Sequence, residues 1–139
     1  MCSSDLLIYG VFNAIETSQT LRLNAKTQLA YGVQIAAKTG ATKVTANTTI
    51  NLYDHYIGVD TATPAAAVTV TLPSAATAGA GKLFIIKDEG GAALTNNITI
   101  ARNGSDTIEG AASNLTLANN RESAYLVSDG VSKIGRAHV

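Results

Sequence analysis

A chain of 139 residues and 14.3 kDa has room for one compact domain, or a small domain behind a neck, and excludes a multidomain enzyme. Ten Lys and Arg balance ten Asp and Glu for a net charge of zero, so nothing in the balance suggests a basic face for phosphate, and no nucleic-acid partner is expected. Charged residues make up 14%, hydrophobic 46% and aromatic 5%, with no Trp, which is neither a disordered nor a collagenous composition. The longest apolar runs, such as Leu83-Phe84-Ile85-Ile86, fall far short of the roughly 18 to 20 residues of a membrane-crossing helix, and no membrane span is expected.

Both ends are informative at the codon level. Met1-Cys2-Ser3-Ser4-Asp5-Leu6 back-translates, with GTG as initiator, to GTG TGC TCT TCC GAT CTN, the reverse complement of a widely used short-read sequencing adapter. Lys133-Ile134-Gly135-Arg136-Ala137-His138-Val139 back-translates to AAG ATC GGA AGA GCA CAC GTC, which contains the same adapter. In that frame the next codon is TGA. The expectation is an open reading frame from a short metagenomic fragment, with residues 1–6 and 134–139 adapter-derived, outside the domain and without effect on its stability. The single Cys (Cys2), the single Met (Met1) and His138 fall in those ends, which leaves His55 as the histidine of residues 7–133. A disulfide framework, a Cys-containing zinc site and a cysteine nucleophile are thereby excluded, and no cofactor is implied.

Residues 7–41 read as a thin β or irregular neck. Ile8, Val11, Phe12 and Ile15 mark an apolar, turn-rich stretch, Leu21-Arg22-Leu23 and Val33-Gln34-Ile35 alternate like short strands, and a helix fits around Asn24 to Tyr31. From Thr42 onward the apolar period is two, as in strands with one buried face, and residues 42–133 are expected to form a β domain. Val68-Thr69-Val70-Thr71-Leu72 alternates cleanly, and Asn97-Ile98-Thr99-Ile100-Ala101 is nearly repeated by Asn114-Leu115-Thr116-Leu117-Ala118. Leu83-Phe84-Ile85-Ile86 and Tyr125-Leu126-Val127 are continuous apolar runs, expected to be covered on both faces. The predicted inward set is Val68, Val70, Leu72, Phe84, Ile86, Ile98, Ile100, Leu115, Leu117 and Leu126.

Turn residues separate these runs at Leu72-Pro73-Ser74, Ala78-Gly79-Ala80-Gly81, Glu89-Gly90-Gly91, Glu109-Gly110 and Asp129-Gly130,. Asn103-Gly104, between Ile98-to-Arg102 and Asp106-to-Ile108, is the strongest local hairpin signal. The fold class is all-β: a small β-sandwich or a short β-solenoid-like module preceded by the neck. Strand spacing alone does not choose between them.

Three places could carry chemistry. Asp88-Glu89 could serve as an acid and base or cradle a metal, but as part of Lys87-Asp88-Glu89-Gly90-Gly91 it is better read as a polar turn. Asp106 and Glu109, three apart, fall on opposite faces of an extended segment. Within Leu52-Tyr53-Asp54-His55-Tyr56-Ile57, Tyr53, His55 and Tyr56 are the candidate glycan contacts. Read as a plain strand, the same run puts Tyr53 and His55 on one face and Asp54 and Tyr56 on the other. Gly79-Ala80-Gly81-Lys82 lacks the spacing and the hydroxyl residue of a phosphate loop. No catalytic residue, cofactor-binding residue or metal ligand stands out.

The succession Ala46-Asn47-Thr48-Thr49, Tyr56-Ile57-Gly58-Val59-Asp60-Thr61, Val68-Thr69-Val70-Thr71-Leu72-Pro73 and Gly81-Lys82-Leu83-Phe84-Ile85-Ile86-Lys87-Asp88-Glu89-Gly90-Gly91 resembles a domain of phage and prophage tail fibres and tail spikes. Thr95-Asn96-Asn97-Ile98-Thr99-Ile100, Ser105-Asp106-Thr107-Ile108-Glu109-Gly110-Ala111-Ala112-Ser113 and Leu126-Val127-Ser128-Asp129-Gly130 continue it in order. The resemblance implies a non-enzymatic virion component, usually a homotrimer, assembled with other tail proteins into a fibre that presents a tip to a host surface glycan. In such domains a polar pair, an aromatic residue and a last apolar strand follow the Ser-Asp-Gly turn. Here Val131-Ser132-Lys133 runs into the adapter-derived end, so the last strand is expected to be missing. A carbohydrate-binding module or an extracellular bacterial surface adhesin is the alternative.

Overall fold

The computed structural model describes residues 43–137; the neck at 7–41 and the first adapter-derived segment at 1–6 lie outside the described residues. Nine strands and one helical turn follow one another: β1 Thr48–Thr49, β2 Tyr56–Val59, β3 Val68–Thr71, α1 Ala75–Ala78, β4 Ala80–Asp88, β5 Ile98–Ala101, β6 Thr107–Ile108, β7 Leu115–Leu117, β8 Ser123–Asp129 and β9 Lys133–Ala137. They form two mixed sheets, ordered β1-β3-β5-β7 and β2-β4-β8-β9-β6. The domain is all-β. From β1 to β8 each successive strand joins the other sheet, so β1, β3 and β5 stack in parallel, as do β2 and β4. This alternation is solenoid-like, while the antiparallel pairs β4–β8, β5–β7 and β8–β9 belong to a sandwich.

The period-two pattern explains the core. Val68, Val70, Ile98, Ile100 and Leu117 from one sheet join Ile57, Val59, Phe84, Ile86 and Leu126 from the other in one buried cluster. Of the expected inward set, Leu115 alone is only partly buried. The two near-copies of the sequence become neighbours: β5 and β7 pair antiparallel, with Ile98 opposite Leu117 and Ile100 opposite Leu115. Among the described residues no helix is long and apolar enough to cross a membrane.

Three expectations need correction. Asn103-Gly104 does not close a hairpin, because β5 and β6 belong to different sheets. The turn instead carries the chain across the core, with Asp106 N–H bonded to Asn103 O at 2.9 Å. The runs in β4 and β8 are not covered on both faces. Phe84, Ile86 and Leu126 are buried, but Leu83 and Ile85 are half-buried and Tyr125 and Val127 are exposed, since this sheet has no layer on its outer side among the described residues.

The third correction concerns the C-terminal end. Residues 134–137 are not outside the domain, and the place of a last strand is filled. Lys133–Ala137 pairs antiparallel with β8, and Lys133 and Ile134 pair in parallel with β6. Ile134 is 1% exposed. The cause is the preceding turn: Asp129 Oδ1 accepts the N–H groups of Val131, Ser132 and Lys133 at 2.8, 3.1 and 3.0 Å, which reverses the chain beside β8. Backbone pairing is then open to any sequence without proline, and an apolar side chain at 134 completes the core.

Candidate functional site

The segment with Tyr53, His55 and Tyr56 is a turn followed by a strand rather than one long strand. Asn51 Oδ1 accepts from Tyr53 N at 2.8 Å, and Asp54 Oδ2 accepts from Asn51 N at 2.8 Å. These side-chain bonds to nearby backbone fix a tight turn. Its tip is Tyr53, 79% exposed. His55 starts the pairing with β4, its carbonyl accepting from Ile85 N at 2.8 Å. The His55 Nε2 is buried and has no hydrogen-bond partner among the described residues. Burial, and then the Lys82 ammonium, hold the imidazole below its ordinary pKa. Tyr56 stands on the outer face of its sheet, where its hydroxyl donates to Glu89 Oε1 at 2.5 Å. The three candidate residues thus occupy a turn tip, a partly buried position and an open sheet face.

Asp88 and Glu89 part company as the turn reading requires. Asp88 is fully buried. Its carboxylate accepts from Gly91 N at 2.8 Å, Ala93 N at 3.2 Å and Arg121 N at 2.9 Å. Burial alone would raise its pKa, but the backbone donors, Arg121 first, outweigh it and hold the group below its ordinary value,. An ionised carboxylate so engaged holds two loops together and has no proton to give near neutral pH. Glu89 lies over Gly58 on the outer face, where an added Cβ would come within 2.7 Å of the Glu89 carboxyl carbon.

Asp106 and Glu109 also diverge. Asp106 Oδ2 accepts from Ala75 N at 2.7 Å in the interior, and Ala75 O in turn accepts from Ser128 Oγ at 3.0 Å. The single turn of α1, capped by Ser74 Oγ accepting from Thr77 N at 3.1 Å, is therefore tied to both the crossover and β8. Glu109 accepts from Arg136 N on β9. Among the described residues no three His, Cys, Asp or Glu side chains are grouped to hold a metal ion.

The structure brings together a pair that the sequence did not single out. Register places Tyr56, Ile85 and Tyr125 side by side across β2, β4 and β8, and burial first, then the Glu89 carboxylate and last Tyr125, push the Tyr56 pKa up to about 12. The available signal was the parity of β8: with Ala124 and Leu126 inward, Tyr125 and Val127 must face out. The chain matches no protein-family model and no curated protein.

Proposed function

We propose that residues 42–133 are a structural module of a phage or prophage tail fibre or tail spike, non-enzymatic, homotrimeric, sited in the virion tail among other tail proteins and serving host attachment. The observation that carries this is where the resembling segments fall. Gly81-to-Gly91 is β4 with its Asp88-held loop, Ser105-to-Ser113 is the crossover containing β6, and Leu126-to-Gly130 is β8 with its turn. The residues that carry the resemblance are those that build strands and turns, as expected of a module whose product is shape. The non-enzymatic reading is supported by Asp88 and Asp106, whose carboxylates are engaged by buried or half-buried backbone donors.

A small core favours association, since few large side chains are buried per chain, and closed cyclic symmetry satisfies every copy equally. Multi-angle light scattering of the 139-residue chain, and of a version extended through its natural continuation, tests this. A trimer is the expected mass for the extended chain; a monodisperse monomer for both overturns the fibre reading. The carbohydrate-binding module or extracellular adhesin remains the second reading, favoured by the exposed tyrosine on the outer sheet face. A monomer that binds polysaccharide would select it.

A further inference from the structure

Asn103 precedes Gly104 and Asp129 precedes Gly130. At such a pair the backbone nitrogen of the glycine can close a five-membered ring on Cγ of the residue before it, since glycine has no Cβ to hinder the approach. Closure needs a nitrogen free of other bonds, a Cγ from which a group can leave, and room to turn.

At Asp129 these conditions fail. Its Oδ1 accepts from Val131, Ser132 and Lys133 N at 2.8, 3.1 and 3.0 Å. Those donors, Lys133 first, hold the carboxyl below its ordinary pKa, and an ionised carboxylate is a poor electrophile. Gly130 N already donates to Ser128 Oγ at 3.0 Å. Its Cβ site lies 2.5 Å from Ala80 N, so the turn has no room to reorient.

At Asn103 they are met. Gly104 is exposed, and its N–H has no acceptor among the described residues. Nothing lies within 4 Å of its Cβ site. The Asn103 amide makes one bond among the described residues, from Nδ2 to Leu72 O at 3.3 Å, which is long for an N–H···O bond. The peptide group joining the two residues is also activated. The Asn103 carbonyl accepts from Asp106 N at 2.9 Å, and the Arg102 guanidinium, donating to Gly104 O and Asp106 O, brings a positive charge close by. A donor on that oxygen and a neighbouring cation both favour the anion formed when Gly104 N gives up its proton.

We propose that Asn103-Gly104 is a self-modifying site, which deamidates through a succinimide in the folded domain. Hydroxide takes the Gly104 N proton, and the nitrogen bonds to Asn103 Cγ. The Cγ–Nδ2 bond breaks, and Nδ2 takes a proton from water and leaves as ammonia, which regenerates hydroxide. A water molecule then opens the ring, giving aspartate by attack at Cγ or isoaspartate by attack at the main-chain carbonyl. One water is consumed and one ammonia released. Either product adds a negative charge three residues before Asp106, whose carboxylate accepts from Ala75 N at 2.7 Å. Isoaspartate also lengthens the main chain by one carbon in the crossover from β5 to β6. The modified domain should therefore melt several degrees lower.

The test incubates the full 139-residue chain at pH 7, well below its melting temperature, beside the same chain unfolded in guanidinium chloride. Peptide mass spectrometry with electron-transfer fragmentation separates aspartate from isoaspartate. A gain of about one dalton at Asn103, with isoaspartate among the products, is expected in the native chain. Its rate should lie within about tenfold of the unfolded rate, since one neutral hydrogen bond must open. Isomerisation of Asp129 should be suppressed by folding far more strongly. Gly104→Ala should slow the gain several-fold in both states. Three results overturn the proposal: Asn103 retained in the native chain while the unfolded chain converts, equal protection of the two sites by folding, or a gain without isoaspartate that Gly104→Ala leaves unchanged.

Discussion

The backbone N–H of Arg121 donates to Asp88 Oδ2 at 2.9 Å across 33 residues of chain. To make that bond Arg121 adopts a left-handed backbone with φ of 65°, a conformation that costs a non-glycine residue about 1 kcal/mol or more. Its guanidinium then reaches Glu89 O, so one residue braces both ends of the Asp88-Glu89 turn. The loop after β4 and the loop before β8 are thereby held as one unit at the same end of the domain.

Removing that carboxylate should be among the most damaging single changes in the domain. Asp88→Ala would strand three buried or half-buried N–H donors and is expected to cost about 3 kcal/mol. The pH dependence has a definite sign. The folded-state pKa of Asp88 lies below 3.8, so its contribution is fully present above that value and is lost as the pH falls through the folded pKa. Denaturant melts from pH 7 to pH 2 should show the gap between wild type and Asp88→Asn closing in acid; a constant gap contradicts the assignment.

The strand β9 should be indispensable, whatever the origin of its codons. Ile134→Ala is expected to cost about 2–4 kcal/mol as a buried large-to-small change, and a chain ending at residue 132 should lose far more. Urea melts of the two variants beside the full chain measure this. A melt unchanged on removal of residues 133–139 would show that β9 contributes nothing.

Gly130 closes the β8–β9 turn with φ of 80°, and an added Cβ would meet Ala80 N at 2.5 Å. Both the left-handed backbone and the contact with main chain oppose a side chain. Gly130→Ala should therefore destabilise by about 2 kcal/mol or more, whereas Gly104→Ala, with open space around its Cβ position, should cost about 1 kcal/mol from its backbone alone.

His55 gives a second, milder pH signature. Its folded pKa lies below 6.5, so the unfolded chain binds the proton more readily, and stability declines as the pH falls through 6.5 towards the folded value. His55→Gln should flatten the melting temperature between pH 7.5 and 5. Two-dimensional NMR of the imidazole should show a midpoint below 6.5; a midpoint above it would contradict the burial of Nε2.

Much of the core was legible because alternation has a single cause, burial of one face, and Val68, Val70, Ile98, Ile100 and Leu117 followed it. The partnering of strands was not legible. Asn103-Gly104 favours a tight turn, yet nothing local says whether the chain returns to the same sheet or crosses to the other. The run Leu83-to-Ile86 looked doubly covered because composition records how apolar a strand is, not whether a layer lies beyond it. At Leu52-to-Ile57 the side chains of Asn51 and Asp54 captured backbone donors and ended the extended pattern early. The Tyr56–Tyr125 row joins positions 69 residues apart, and only register brings such residues together.

The alternation of strands between the sheets also bears on how the domain forms. A hairpin protein can mature in steps, each finished ladder standing on the last, but here β1 must wait for β3, β3 for β5 and β2 for β4, each across an intervening crossover. Outside the local β8–β9 hairpin, loop closure comes before reward,, which places the domain among slow folders of high contact order. A chain severed near residue 104 would leave two fragments each holding strands of both sheets, neither with a closed core, and each complementary to the other. Folding should accordingly be all-or-none, and the two fragments, mixed, should restore the native spectrum that neither shows alone.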